Sequence, residues 1–419
     1  MVHRSSSQQQ RVARIAPDRV IVRAMLLSLV ALAAIAFKLI SSTAALAGGD
    51  TTPVPATANA ATPLAQGGAV ELEAPPFIEL AGHKADLWGA SFSTDGKRVI
   101  TSSSDKSAKI WDASSGALVK TLSGHDEAVR SAAFNADGKK VATACRNGSA
   151  RIWDAETGSV LFQLAGHGEM IEQIGFSPDG AIVATASRDA TAKLFNVETG
   201  AEIAQLKGHT EWLSGFDISS DSKKIVTSSS DKSARVWDAR TGAALFVLSG
   251  HDGLVTSAVF SPDGQFIATS SSDKTAKIWS AADGKELVSV AGHERAALRV
   301  AYSPDGTRIV TTSSDKTGKV WDSKSGALVA TLAGEHKRLI PRVMFSYDGK
   351  RIVTASHDKT AVVWDASTGK ALATLRGHFK EVDGAAFSPD GRQVLTASYD
   401  KTARMWDISG IEKSSSAAD

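Results

Sequence analysis

Residues 291–332 read AGHERAALRVAYSPDGTRIVTTSSDKTGKVWDSKSGALVATL, and the same 42-residue sentence is written along most of the chain. A Gly-His pair recurs at His83, His125, His167, His209, His251, His293 and His378, and stands as Gly-Glu-His at His336. The steps between them are 42 residues, except for one of 43 between His293 and His336. Each is followed 28 residues later by an aromatic: Trp111, Trp153, Phe195, Trp237, Trp279, Trp321, Trp364 and Trp406. A fixed period of this length marks a repeat architecture, in which each unit buries its apolar face only against its neighbours.

Within the unit, apolar residues stand four, seven and nine positions after His, as in Leu87, Ala90 and Phe92, or Val255, Ala258 and Phe260. The last step of two is strand periodicity. The step of three before it is one residue too long for a regular strand and predicts a β-bulge. Ser-Pro-Asp-Gly at 177–180, 261–264, 303–306 and 388–391 is a hairpin signal, since Pro presets φ and Gly takes the left-handed position. A β-branched strand, a tight turn, an aromatic-bearing strand and a fourth strand follow. Four short antiparallel strands per repeat make one blade of a β-propeller.

The Gly-His to Trp-Asp signature resembles the WD40 family over residues 77–409, in eight copies. The resemblance implies an all-β, closed, eight-bladed propeller. Closure has a sequence argument of its own. The eighth repeat loses its pattern after Trp406-Asp407, while Phe77-Ile78-Glu79-Leu80 before the first Gly-His reads as an orphan strand. Pairing the two completes the last blade and removes free edges.

The resemblance also implies a hydrogen-bonded tetrad of Trp, Ser, His and Asp in each blade. By offset its members are His83, Ser103, Asp105 and Trp111; His209, Ser229, Asp231 and Trp237; His251, Ser271, Asp273 and Trp279; His293, Ser313, Asp315 and Trp321; His336, Ser356, Asp358 and Trp364; His378, Ser398, Asp400 and Trp406. The third repeat carries Ser187 and Asp189 but Phe195 for Trp, and the second carries Cys145 and Asn147 for Ser and Asp. Weakened tetrads, and lower local stability, are therefore expected in blades two and three. Eight near-copies of Ser, His and Asp argue for structure rather than a hydrolase triad, which is recognised by geometry in one cleft. No catalytic, cofactor-binding or metal residue is expected. The Lys after each acid reads as a solvated turn residue, and one Asp per SPDG turn falls far short of a calcium shell.

Residues 1–23 are basic and residues 24–37 apolar, with Ala45-Leu46-Ala47 placed as a cleavage motif. Residues 1–47 thus read as a secretory signal or, with Lys38 snorkelling, as a membrane anchor over 24–47. Either reading places the propeller outside the cytoplasm, with a bacterial periplasm expected. Residues 48–76 read as a flexible Ala/Thr/Pro/Gly linker and 410–419 as a disordered tail. Cys145 is the one cysteine, so no intrachain disulfide can form. The net charge is +2, and residues 1–70 hold six Lys/Arg against two Asp, leaving the rest near −2. That balance gives no electrostatic footprint for nucleic acid.

Positions shared by all repeats build the blade, so those that vary are free for function. In the family, partners commonly use the face carrying the bulge and the turn before the tetrad acid. By offset, large residues fall in two arcs. Repeats two to four supply Arg130, Arg146, Met170, Glu172, Arg188 and Trp212; repeats seven, eight and one supply Leu339, His357, Glu381, Asp383, Tyr399 and Trp88. Trp, Tyr and Arg dominate binding hot spots. The expected function is a non-catalytic, monomeric scaffold that binds other proteins in the cell envelope. The alternatives are a quinoprotein-dehydrogenase-type propeller and a binder of sugars or small ligands at the central channel. Against the first, the chain lacks both the docking Trp after the Gly turn and the adjacent Cys pair that such enzymes use.

Overall fold

The computed structural model describes residues 75–164 and 166–411. The leader with its Ala45–Ala47 motif, almost all of the linker and residues 412–419 lie outside the described residues. Described strands form eight antiparallel four-stranded sheets. Blade one comprises Leu87–Phe92, Arg98–Ser103, Ala108–Asp112 and Leu118–Leu122, hydrogen-bonded in that order. The first strands of successive blades touch one another around the whole circle and so line the axis. Fourth strands form the rim, where Leu118, Val119, Val160 and Leu161 are exposed.

The ring closes as expected. Phe77–Ala81 pairs with Thr402–Asp407, from Phe77 opposite Trp406 to Ala81 opposite Thr402, and supplies the missing strand of blade eight. The protein is an all-β, eight-bladed propeller in which the first strand of the ring is held by the last blade.

Each of the eight apolar clusters lies between consecutive blades. The cluster joining blades one and two sets Ile100, Ala108, Ile110 and Leu122 against Val129, Val141, Trp153 and Ala155. The cluster across the closure sets Leu395, Ala397, Ala403 and Met405 against Leu87, Val99 and Trp111. Small residues on one blade thus receive the indole of the next, and burying such a side chain is worth about 1.5–3 kcal/mol. Phe195 of blade three fills the same slot against blade two, so the Trp-to-Phe change costs little apolar contact.

The bulge is present in blades one to six and eight. Leu87 pairs with Ser103 and Gly89 with Ser102, which leaves Trp88 as the extra residue. Arg130, Glu172, Ser214, Thr256, Leu298 and Asp383 are its counterparts. Blade seven differs: its first strand is only Arg342–Phe345 and shows no register shift. Pro341, at the bulge position, has no N–H to give to a ladder.

Candidate functional site

The hydrogen-bonded network inside each blade is real, but its hydroxyl belongs to a different residue. His Nε2 lies 2.7–2.8 Å from a threonine Oγ1 in all eight blades: Thr101, Thr143, Thr185, Thr227, Thr269, Thr311, Thr354 and Thr396. The tryptophan Nε1–H donates to the same oxygen at 2.7–2.9 Å in every blade but the third, where Phe195 has no such donor. His Nδ1 lies 2.7–3.1 Å from the Asp Oδ2 in seven blades. These partners assign the imidazole proton to Nδ1, so that Trp N–H, Thr O–H and His N–H donate in one direction toward the carboxylate.

The expected serines are therefore corrected. Ser103, Ser229, Ser271, Ser313, Ser356 and Ser398 stand two residues further along the second strand, on the same face but about 6.6 Å onward, which carries them past the imidazole to the entry loop. Ser103 Oγ donates to the carbonyls of Ala85 and Asp86 and accepts the N–H of Asp105, and Ser229 does the same at Glu211, Trp212 and Asp231. They tie the entry loop to the turn. The hydroxyl beside each imidazole is a fully buried threonine already holding two partners, so no Ser–His–Asp triad is assembled. Burial pushes the carboxyl of Asp231 up, but hydrogen bonds from His209 and Ser233 outweigh it and hold the group well below the usual carboxylate range.

Blades two and three depart in different ways. His125 keeps Thr143, but its Nδ1 has no partner, because Asn147 turns its Oδ1 to Ser149. Burial, with Arg151 nearby, pushes His125 down to about 4. Blade three retains His167–Asp189 and His167–Thr185 and lacks only the indole donor. The lysines after the acids are exposed and adopt φ of 72–78°, so they are turn residues in the left-handed region.

In every blade the backbone N–H before the tetrad acid donates to the carbonyl two residues before the bulge position: Ser104 to Asp86, Arg146 to Ala128, Arg188 to Met170, Ser230 to Trp212, Ser272 to Leu254, Ser314 to Ala296, His357 to Leu339 and Tyr399 to Glu381. That bond places the turn residues directly beside the bulge residues, so both sets lie together on one face. There the two arcs expected from the sequence merge. The Arg188 guanidinium lies 4.8 Å from the Trp212 ring centre, and Arg188 Nε donates to Glu172. Glu172 also holds Arg130 at 3.2 Å, and Arg130 lies 4.7 Å over Trp88. Trp88 meets Tyr399 edge-on at 5.3 Å, Tyr399 lies 6.0 Å from His357, and His357 Nε2 is 3.3 Å from Asp383. One belt of cation–π, ionic and aromatic contacts thus runs from blade four back through blade one to blade seven.

Members of the belt are partly buried, and its charges are mutually committed. Burial opposes the charge of Arg130, but Glu172 and Asp383 raise its pKa. Burial likewise opposes the charge of Asp383, yet His357, Arg130 and Arg342 bring it down to about 2. Glu381 pairs instead with Arg338 at 2.9 Å. Arg146 stands apart from the belt, exposed and without a side-chain partner among the described residues. Met170 and Leu339 contribute backbone carbonyls, to Arg188 and His357. Blades five and six present Leu254, Thr256, Ser272, Ala296, Leu298 and Ser314 at the same positions, with no charge. Among the described residues no group of His, Cys, Asp and Glu is placed to hold a metal ion.

The eight closed blades and their repeated Trp–Thr–His–Asp network define the class: the chain carries WD40 repeats in an eight-bladed β-propeller. The family profile described as WD domain, G-beta repeat, matches residues 242–280, 284–322, 326–365 and 369–407. The profile of the second β-propeller of echinoderm microtubule-associated protein matches residues 87–245. Among solved structures, the chain is similar to the computationally designed protein Ika8 in one of its crystal packings, at 27% identity and a TM-score of 0.71, covering 79% of this chain and 98% of that one. No curated protein matches the chain.

Proposed function

We propose that the protein is a non-catalytic scaffold that binds another protein on the bulge-bearing face, and that it does so outside the cytoplasm. The observation that carries the reading is the belt from Trp212 to His357. At the bulge and the turn beside it, aromatic and arginine groups occur on six blades and are missing from two, on a backbone that repeats with little change around the ring. A rigid, pre-paired set of Trp, Tyr and Arg loses little side-chain freedom on docking, which is the profile of a binding hot spot. Export is supported by the basic-then-apolar leader of residues 1–47.

Crosslinking in intact envelopes followed by affinity recovery tests both parts. Replacing Trp212 by Ala together with Arg146 by Glu is expected to deplete specific partners while leaving the circular dichroism of the propeller intact. An unchanged partner set opposes the docking face. Recovery of the protein from the cytoplasmic fraction alone opposes export.

A further inference from the structure

The belt leaves two arginines unspent. Arg299 and Arg342 occupy the same position on the first strands of blades six and seven, where blades eight, one and four have Gly384, Gly89 and Gly215. With Gln173, Ser257 and Gly215 they line a cavity of about 260 Å³ among the first strands of blades three to seven, next to the axis of the ring. Neither guanidinium makes an ion pair among the described residues, although Asp383 lies near enough to favour the charge of both. Glu172 is taken by Arg130 and Arg188, and Asp383 by His357. Arg299 donates from Nη1 to the Thr256 carbonyl at 2.9 Å, while its buried Nε has no partner. The Oγ1 of Thr312, directly across the strand pair from Arg299, is also buried and unpartnered. Arg342 makes no side-chain hydrogen bond or ion pair among the described residues.

Four guanidiniums (Arg130, Arg188, Arg299 and Arg342) thus converge on two carboxylates, Glu172 and Asp383. Burial and the adjacent Arg342 push Arg299 down to about 9, and burial also lowers Arg342. Leaving buried charge uncompensated is costly, and an anion supplied from outside relieves that cost. Asp217, the acid in the lining, accepts the N–H of Phe260 at 2.8 Å, and burial pushes it up to about 6.

We propose that Arg299 and Arg342 form a binding site for a small oxyanion, a phosphate or carboxylate group, inside the central channel. Planar guanidiniums suit such groups because they donate two parallel hydrogen bonds to a pair of oxygens. The site adjoins the protein-docking belt through Glu172 and Asp383 but uses none of its arginine–aromatic contacts, and its failure would leave that reading untouched.

The test is calorimetric titration of the full chain at low ionic strength, with inorganic phosphate in one arm and acetate in the other. Saturable one-to-one binding of either anion is expected, and the stronger arm assigns the class. Affinity should fall about ten-fold or more in Arg299→Gln and in Arg342→Gln. It should be unchanged in Arg240→Gln, an exposed arginine in a turn of blade four. Thermal midpoints guard against misfolding: the bound anion should raise the midpoint of the wild type and not that of the double variant. Absence of saturable binding in both arms, or binding retained by the double variant, overturns the proposal.

Discussion

Blades two and four are built on the same backbone and differ at one polar contact. In blade four His209 is held between Thr227 at 2.8 Å and Asp231 at 2.7 Å, and the Thr210 N–H also reaches the Asp231 carboxylate. In blade two His125 is equally buried and keeps Thr143 at 2.7 Å, but nothing meets its Nδ1. Trp153 packs and donates as Trp237 does. The network is therefore not required blade by blade for the fold; packing and closure around the ring carry a blade that has lost its acid. The acid adds local stability, and it ties the imidazole to the next turn.

The sharpest way to break the comparison is Asp231→Asn, which gives blade four the defect of blade two. A loss of about 3 kcal/mol is expected in urea unfolding, because a buried imidazole loses its charged partner. Next comes pH. The folded pKa of His125 lies near 4, below the ordinary value near 6.5. Its contribution is fully present above about pH 6.5 and is lost as pH falls toward 4, since only the unfolded chain takes up the proton. A drop of about 2 kcal/mol across that window is expected, and it should shrink in Asn147→Asp, where the imidazolium gains a partner. Gly148 offers a steric test: a Cβ there would lie 2.4 Å from the His167 carbonyl oxygen. Gly148→Ala should destabilise by about 2 kcal/mol in thermal melts, by displacing the entry loop of blade three. At neutral pH, Asn147→Asp should stabilise by about 1 kcal/mol and raise amide protection in blade two toward that of blade four. Smallest is Lys232→Gly. The lysine holds φ of 72°, and relief of that strain offsets the greater freedom of glycine when unfolded. A change within about 1 kcal/mol is expected, seen as a small shift in urea midpoint.

The bulge-bearing face shows a second contrast. Blades five and six carry Thr256, Leu298, Ser272 and Ser314 where blades two and three carry Arg130, Glu172, Arg146 and Arg188. The offsets that located these positions came from the repeat, and the backbone bond from the turn to the bulge confirms the offsets in all eight blades. What the offsets left apart, the ring joined: Trp88 begins the first repeat, yet it touches Arg130 of the second and Tyr399 of the eighth.

The threonine of the tetrad was legible and was missed. It stands 18 residues after the histidine in every repeat without exception, whereas the serine position varies to cysteine in the second. Full identity across eight copies was the better signal. It outweighs the expectation, carried by resemblance, of a serine two positions further on. The physical reason is the step along the strand: two residues are about 6.6 Å, so one hydroxyl meets the imidazole and the other, on the same face, the entry loop.

The sequence by itself determined the number of blades, the position of each bulge except that of blade seven, and the strand that closes the ring. These follow from local periodicity and from units that bury surface only against their neighbours. Only the tertiary structure decided that two arcs form one belt, and that Arg299 and Arg342 meet in the channel. Those contacts join residues from different blades, some at opposite ends of the chain. Their distances are fixed only when the last blade takes the first strand and the circle is complete.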